Sequence, residues 1–199
     1  MDTQIKLRDF ESQILFFNGM YKLPVAPYPT TYYEVSAAAG HAFAPSTEHM
    51  QSTLVKRLSN FKHIIQEEIE EVDDIIMSLQ LGIRVKKGEV VEPQEAYTEL
   101  DLLTDLADWL GDIQVFCASE MARYGIPLKE TLALIMSSNF SKLGANGEPI
   151  YDGRGKVQKG PGYWKPEPQL KAMLEEHIAD RAPAYMRDAS RKIVWRANE

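Results

Sequence analysis

Two long helical patterns in this chain carry carboxylates where a packed helix normally carries apolar residues. On the first, a helical projection places Glu68 inside the arc of isoleucine and valine side chains, with Glu67 and Glu71 at its border. A carboxylate on a buried face is costly unless another group compensates its charge. Glu67 and Glu71 also form a like-charge i,i+4 pair, which destabilises a helix. The pattern therefore indicates a place where a cation is needed.

The second helical pattern carries an axial stripe of aspartates with the spacing i, i+4, i+7 and i+11. The stripe consists of Asp101, Asp105, Asp108 and Asp112. Either acidic cluster taken alone is more typical of a solvated helix face than of a cation site. If the two helices pack together, however, their carboxylates form one patch whose repulsion requires a cation.

The donor atoms available to such a cation are carboxylate oxygens, without cysteine or a nearby histidine. Oxygen donors favour Mg²⁺, with Mn²⁺ as a substitute, over zinc. A di-iron bundle needs Glu-x-x-His pairs, and none of the four histidines lies three residues after a glutamate. The sequence therefore predicts a magnesium site and excludes the di-iron arrangement.

A basic, glycine-rich segment follows the acidic helices at residues 139–165. Its five basic residues, against two acidic ones, are Lys142, Arg154, Lys156, Lys159 and Lys165. Glycines allow backbone N–H groups to approach a ligand closely, although no P-loop motif is present. The segment is interpreted either as a phosphate-binding loop or as a solvated surface loop. Tyr163 and Trp164 could stack on a base or anchor the loop.

The elements that position these residues are helices. Periodicity and turn residues predict helices over 5–20, 47–81, 93–125, 127–143 and 169–179, with Gly82 directly after the second. Residues 83–93 are predicted as a turn and 145–168 as a long ordered loop, and strand signals are weak. The predicted fold is an all-α helical bundle centred on the two acidic helices, with a long basic Gly/Pro-rich loop. We treat 1–199 as one domain with a core at 55–168 and extensions at 1–50 and 169–199.

Composition narrows the classes of partner. The chain has 22 Lys plus Arg and 29 Asp plus Glu, giving a net charge of -7. This balance argues against duplex nucleic acid and anionic membranes as partners. A single cysteine, Cys117, allows no intramolecular disulfide. Neither a signal segment nor a membrane-spanning apolar run is recognisable, so we expect a cytoplasmic protein without a membrane partner.

Together, the acidic helices and the basic loop resemble the MazG-like nucleotide pyrophosphohydrolases of the phosphoribosyl-ATP pyrophosphohydrolase superfamily. IIQEEIEE (64–71) is similar to the first motif of that family, and LADWLGDIQVF (106–116) to the second. Asp112 matches the final Asp and Asp108 its acidic partner. Asp105 offers an alternative register, because position 109 is Trp and the family's Glu-x-x-Asp spacing is not reproduced. SNFSK (138–142) and KGPGY (159–163) resemble elements of phage and bacterial MazG-like proteins.

The resemblance implies an enzyme that hydrolyses an NTP or dNTP between the α and β phosphates to NMP and pyrophosphate, in nucleotide-pool housecleaning. It implies four Mg²⁺ ligands, namely Glu68, Glu71, Asp108 and Asp112. Glu67 would be the general base or a further ligand. The implied substrate-binding residues are Asn139, Lys142, Lys156, Lys159 and Tyr163. The family further implies a homodimer or homotetramer, while the preferred base and sugar stay open.

Two other functions are compatible with the same residues. One is a catalytically inactive helical module that binds nucleotide or metal without turnover. The other is a structural adaptor whose acidic stripes bind a basic partner protein. The inactive module predicts saturable nucleotide binding without product, and the adaptor predicts no gain of thermal stability with Mg²⁺.

Overall fold

The computed structural model describes residues 9–31, 47–91, 97–182 and 187, with the backbone alone at 47–50. These ranges contain α1 (Phe10–Met20), α2 (Thr47–Leu81), β1 (Arg84–Lys86), β2 (Glu89–Val91), α3 (Glu99–Arg123), α4 (Leu128–Phe140) and α5 (Glu167–Arg181). The predicted all-α class is confirmed. No helix in the described part of the chain is long and apolar enough to cross a membrane.

The start of α3 differs from the prediction, which placed it at Pro93. Tyr97 and Thr98 are not helical, and residues 92–96 lie outside the described ranges. Thr98 N donates to Asp101 Oδ2 at 2.8 Å, and Asp101 N donates to Thr98 Oγ1 at 3.2 Å. This reciprocal pair is a capping box, which satisfies backbone donors at a helix N-terminus. The local cap therefore sets the start of α3 at Glu99.

The predicted turn at residues 83–93 is in fact a β-hairpin. Strands β1 and β2 pair antiparallel, with Lys86 opposite Glu89. The two residues between them, Lys87 and Gly88, have φ of 54° and 73°. Positive φ at both central positions is the geometry of a two-residue hairpin turn that matches strand twist. The prediction of a simple turn was wrong because strands of three residues are too short to show alternation.

The chain divides into two compact units. Of the described residues, the α2 unit contains 47–91 and 97–120, and the α4 unit contains 9–31, 121–182 and 187. In the α2 unit, the Arg57 guanidinium on α2 forms two hydrogen bonds with the Glu120 carboxylate on α3. The two side chains are only 16% and 8% exposed. This buried ion pair joins the two long helices. The limits predicted for the core, at 55–168, and for the two extensions stay predictions.

In the α4 unit, the segment after α1 packs along the end of α3. Ala26 N donates to Ala122 O at 3.0 Å and Thr30 N to Tyr124 O at 2.9 Å. Gly125 has a φ of 64°, and a Cβ there would lie 2.1 Å from Tyr28 O, so only glycine fits.

A side chain on α1 satisfies the start of α4. The Glu11 carboxylate accepts a hydrogen bond from Leu128 N at 2.9 Å. Pro127, at the N-cap, provides no side-chain hydrogen bond. The Glu11 carboxylate therefore satisfies a free donor of α4 and places negative charge at its positive end.

The predicted apolar faces of the long helices are only partly covered. Ile75 is 8% exposed, but Ile69, Ile76 and Leu79 on the same predicted arc are 45%, 45% and 54% exposed. On α3, Leu110 is 49% exposed. The described elements of the α2 unit therefore cover only part of each apolar face.

Candidate functional site

Glu68 is the buried member of the acidic cluster. It is 8% exposed, and its Oε2 has no hydrogen-bond partner among the described residues. The pKa of Glu68 is raised, first by loss of hydration on burial and then by the negative charges of Glu71, Asp112, Glu67 and Asp108, in that order. Glu68 is thus the buried carboxylate on which the negative charges of the other four predicted site carboxylates act.

Trp109 connects the two acidic helices at the position of Glu68. Its indole Nε1–H on α3 donates to the backbone carbonyl of Glu68 on α2, with a distance of 2.7 Å. Asp108 and Asp112 lie beside Trp109 on α3, so the same hydrogen bond positions their backbone relative to Glu68. Sequence reasoning treated Trp109 as an interruption of the motif and missed this role. Its position in the second motif, between Asp108 and Asp112, was the available signal.

The donor set suits a hard divalent cation, although it is not organised around one. Glu67, Glu71, Asp108 and Asp112 are exposed, whereas Glu68 is buried. Within the described ranges, no three Asp, Glu, His or Cys side chains are grouped so that they could hold a metal ion as they stand. Exposed carboxylates can change rotamer, and Glu68 Oε2 has no hydrogen-bond partner within the described ranges to offset the cost of its burial. An all-oxygen set of this kind fits Mg²⁺ or Mn²⁺.

Glu67 lies at the solvent side of the cluster. Its Oε1 is 3.5 Å from Nε2 of His63, one turn earlier on α2, and the two side chains are 61% and 71% exposed. Glu67 is therefore accessible to water, as a general base must be. The choice between base and ligand stays a prediction.

Asp101 and Asp105, the other members of the aspartate stripe, have structural partners. Arg84 Nη2 lies 3.3 Å from Asp105 Oδ1, and Arg84 Nη1 lies 3.9 Å from Asp101 Oδ1. Tyr97 donates its hydroxyl to Asp105 Oδ2 at 2.9 Å. Burial, this hydrogen bond and the charge of Asp105 raise the pKa of Tyr97 to about 12. Asp105 is thus engaged by Arg84 and Tyr97, while the charges of Asp108 and Asp112 act on Glu68.

A cleft of about 260 Å³ opens in the α2 unit, lined by α2, α3 and the hairpin. Its lining residues are Glu71, Asp74, Ile75, Arg84, Val85, Lys86, Lys87, Asp105, Asp108, Trp109 and Asp112. Three predicted ligands therefore share the cleft with three cationic side chains. Sequence reasoning missed these cations, because it took residues 83–93 for a connecting turn.

The predicted substrate-binding residues lie in the α4 unit, where two pairs form among them. Lys142 Nζ donates to Asn139 Oδ1 at 2.8 Å. Lys159 Nζ lies 4.6 Å from the centroid of the Tyr163 ring, a cation–π contact. Lys156 contributes its backbone N–H to Asp152 Oδ1 at 2.9 Å. Their role in phosphate binding stays a prediction.

The basic loop is ordered and anchored to α4 through Trp164. Ser138 Oγ donates to Trp164 O at 2.8 Å, and Trp164 N donates to Ser141 Oγ at 3.2 Å. A Cβ at Gly160 would lie 1.9 Å from Leu143 O, so the loop needs glycine there. These contacts match the predicted ordered loop and support the anchoring role for Trp164.

One solved structure similar to this chain is that of a "putative NTP pyrophosphohydrolase" from Exiguobacterium sp. 255-15. The two chains share 21% identity, with a TM-score of 0.42, over 86% of this chain and 97% of the other. No protein-family model matches the chain, and no curated protein matches it. Similarity at this level does not establish a family for the chain.

Proposed function

We propose that this protein is an Mg²⁺-dependent nucleoside triphosphate pyrophosphohydrolase that converts an NTP or dNTP and water to NMP and pyrophosphate. The observation that supports this most is Glu68, buried with an unpartnered oxygen among four carboxylates from two helices. Such a cluster is unfavourable alone and becomes favourable with a divalent cation, whose remaining positions phosphates can fill.

In this proposal Glu68, Glu71, Asp108 and Asp112 hold Mg²⁺, for which Mn²⁺ can substitute. When bound, Mg²⁺ would lower the pKa of water and neutralise the negative charge of the phosphates. Glu67, at the solvent side, accepts a proton from the attacking water or serves as a further ligand. One bridging P–O bond between the α and β phosphates breaks, and one water is consumed.

Trp109 and the loop residues have supporting roles. Through its hydrogen bond to the Glu68 carbonyl, Trp109 keeps the helical turn of α2 that contains Glu68 against α3. The assignment of substrate binding to the loop rests on the motif resemblance alone. The residues concerned are Asn139, Lys142, Lys156, Lys159 and Tyr163.

The test is to incubate the protein with Mg²⁺ and each common NTP and dNTP, and to identify products by phosphorus NMR. Pyrophosphate with a monophosphate is the expected result. Glu68→Gln and Glu71→Gln should lose turnover, whereas Glu70→Gln, on an exposed position of the same helix, should retain it. Orthophosphate with a diphosphate would show that the proposed cleavage position is wrong.

A second candidate function is a catalytically inactive module that binds nucleotide or metal. It is favoured by the finding that no three potential ligands in the described ranges are grouped to hold an ion as they stand. This function predicts saturable nucleotide binding in calorimetry without product in the NMR experiment. Product formation that Glu68→Gln abolishes would exclude it.

A further inference from the structure

The β1–β2 hairpin is fixed firmly to α2. Gly88 N at its tip donates to both carboxylate oxygens of Asp74, at 3.0 and 3.2 Å. Val85 N donates to Ser78 Oγ at 2.8 Å, and Ser78 is only 2% exposed. Residues next to these anchors therefore keep a defined position at the edge of the cleft.

Two of the three hairpin cations are available for a ligand. Arg84 is engaged by Asp105 and Asp101. Lys86 and Lys87 are exposed and line the cleft, and neither forms an ion pair with a residue in the described ranges. Neither ammonium group is therefore neutralised by an ion pair within the described part of the protein.

The cleft is lined by both positive and negative side chains. The hairpin contributes Lys86 and Lys87, while α2 and α3 contribute Glu71, Asp108 and Asp112. The Asp74 carboxylate, which also lines the cleft, is held by Gly88 N. A free anion would be repelled by the carboxylates, and a free cation by the lysines. A ligand that carries both charges, such as a divalent cation bound to a polyphosphate, complements both kinds of side chain at once.

We propose that Lys86 and Lys87 form a phosphate-binding wall of this cleft and contact the polyphosphate of a magnesium–nucleotide or magnesium–pyrophosphate complex. The identity of the ligand rests on the proposed function. The wall is distinct from the loop lysines, which the resemblance implied, because Lys86 and Lys87 share a cleft with three of the four predicted metal ligands in one compact unit.

The probe is magnesium pyrophosphate, titrated calorimetrically into the full-length protein. Lys86→Gln/Lys87→Asn removes both charges, and Asn tolerates the positive φ of position 87. Affinity should fall about tenfold or more, because two charge-assisted contacts to phosphate are lost. Lys86→Arg/Lys87→Arg should retain most of the affinity, because the charge is kept. Lys56→Gln/Lys62→Gln, exposed positions outside the cleft lining, should bind as the wild type does.

Nucleotide turnover gives an independent measurement. With the substrate found by NMR, Lys86→Gln/Lys87→Asn should raise KM about tenfold and change kcat far less, because the lysines bind phosphate and hold no metal. If the turn replacement impairs folding, Lys86→Gln alone provides the same comparison with the turn intact. An unchanged KM and an unchanged pyrophosphate affinity would refute the proposal that Lys86 and Lys87 bind phosphate.

The two proposals can fail separately. Turnover that is insensitive to the hairpin lysines would leave the enzymatic function standing and refute their role. Without turnover of any nucleotide, the proposed function fails. In that case, lysine-dependent binding of magnesium pyrophosphate would still support the wall, and its absence would refute it.

Discussion

Replacing Glu68 with Gln should stabilise the metal-free protein and abolish its response to Mg²⁺. The substitution keeps the shape of the side chain and removes the charge from a group that is 8% exposed with an unpartnered oxygen. A buried polar group without a partner costs about 1–3 kcal/mol. The amide retains part of that cost, so the expected gain in the free energy of unfolding is about 1 kcal/mol. For a chain of this size the gain corresponds to a Tm increase of about 2–4 °C.

The gain should depend on pH. The pKa of Glu68 is raised in the folded state, so protonated Glu68 is compatible with folding and charged Glu68 opposes it. The contribution of Glu68 to the free energy of unfolding is therefore fully present at low pH and is lost as pH rises through the folded-state pKa. Below the ordinary glutamate pKa of about 4.3, the side chain is protonated in both states and the variant has no advantage. The difference in Tm between Glu68→Gln and wild type should therefore widen from acidic to neutral pH.

The assay is thermal unfolding with EDTA and with Mg²⁺, across this pH range. Wild type should gain about 1.4 kcal/mol at a Mg²⁺ concentration about ten times its Kd, and Glu68→Gln should gain far less. Glu70→Gln removes an equal charge from an exposed position of α2 and should behave as wild type. A Glu68→Gln protein that is less stable than wild type in EDTA, or equally responsive to Mg²⁺, would refute the reasoning.

Three further predictions concern a helix contact, the thiol and the assembly. Trp109→Phe removes the indole donor to the Glu68 carbonyl. The free energy of unfolding measured in urea should therefore fall by about 0.5–1.5 kcal/mol, and turnover should fall with it. An unchanged free energy of unfolding and unchanged turnover would show that the hydrogen bond does not position the site. The Cys117 side chain is exposed, but neighbouring atoms remove part of the hydration of its thiol and raise its pKa. Its alkylation rate should therefore reach half-maximum above the usual pH of about 8.5, and a midpoint below that value would contradict the assigned environment. We propose a homodimer or homotetramer, because Ile76 and Leu79 on α2 are 45% and 54% exposed. Light scattering should show the oligomer, and Ile76→Lys/Leu79→Lys should dissociate it. A wild-type mass of 22.6 kDa in solution would exclude it.

Features set by neighbouring residues could be predicted from the sequence. The bounds of α2 agree with the prediction, and Gly82 after it has the left-handed φ of 64° that ends a helix. The position of Glu68 inside an apolar arc follows from helical periodicity alone, and it is buried as expected. These properties depend on side chains within a few turns of one another, which the sequence displays directly.

Local signals can also be missed or outweighed. The Thr98–Asp101 capping box was present in the sequence, and it starts α3 after the position that Pro93 indicated. The hairpin was less visible, because its three-residue strands give too few positions for alternation. Val85 is buried and its N–H is bound by Ser78, a residue of the preceding helix.

The composition of the cleft was decided by tertiary structure. The sequence alone determined which residues are acidic and which helix face they share. It did not determine that Trp109 bonds to the Glu68 carbonyl, or that Lys86 and Lys87 share a cleft with Asp108. The backbone of each helix imposes its own periodicity, so a face can be read from local spacing. The partner of a buried charge instead depends on which distant residue packs opposite it, and only the packing of α2, α3 and the hairpin decides that.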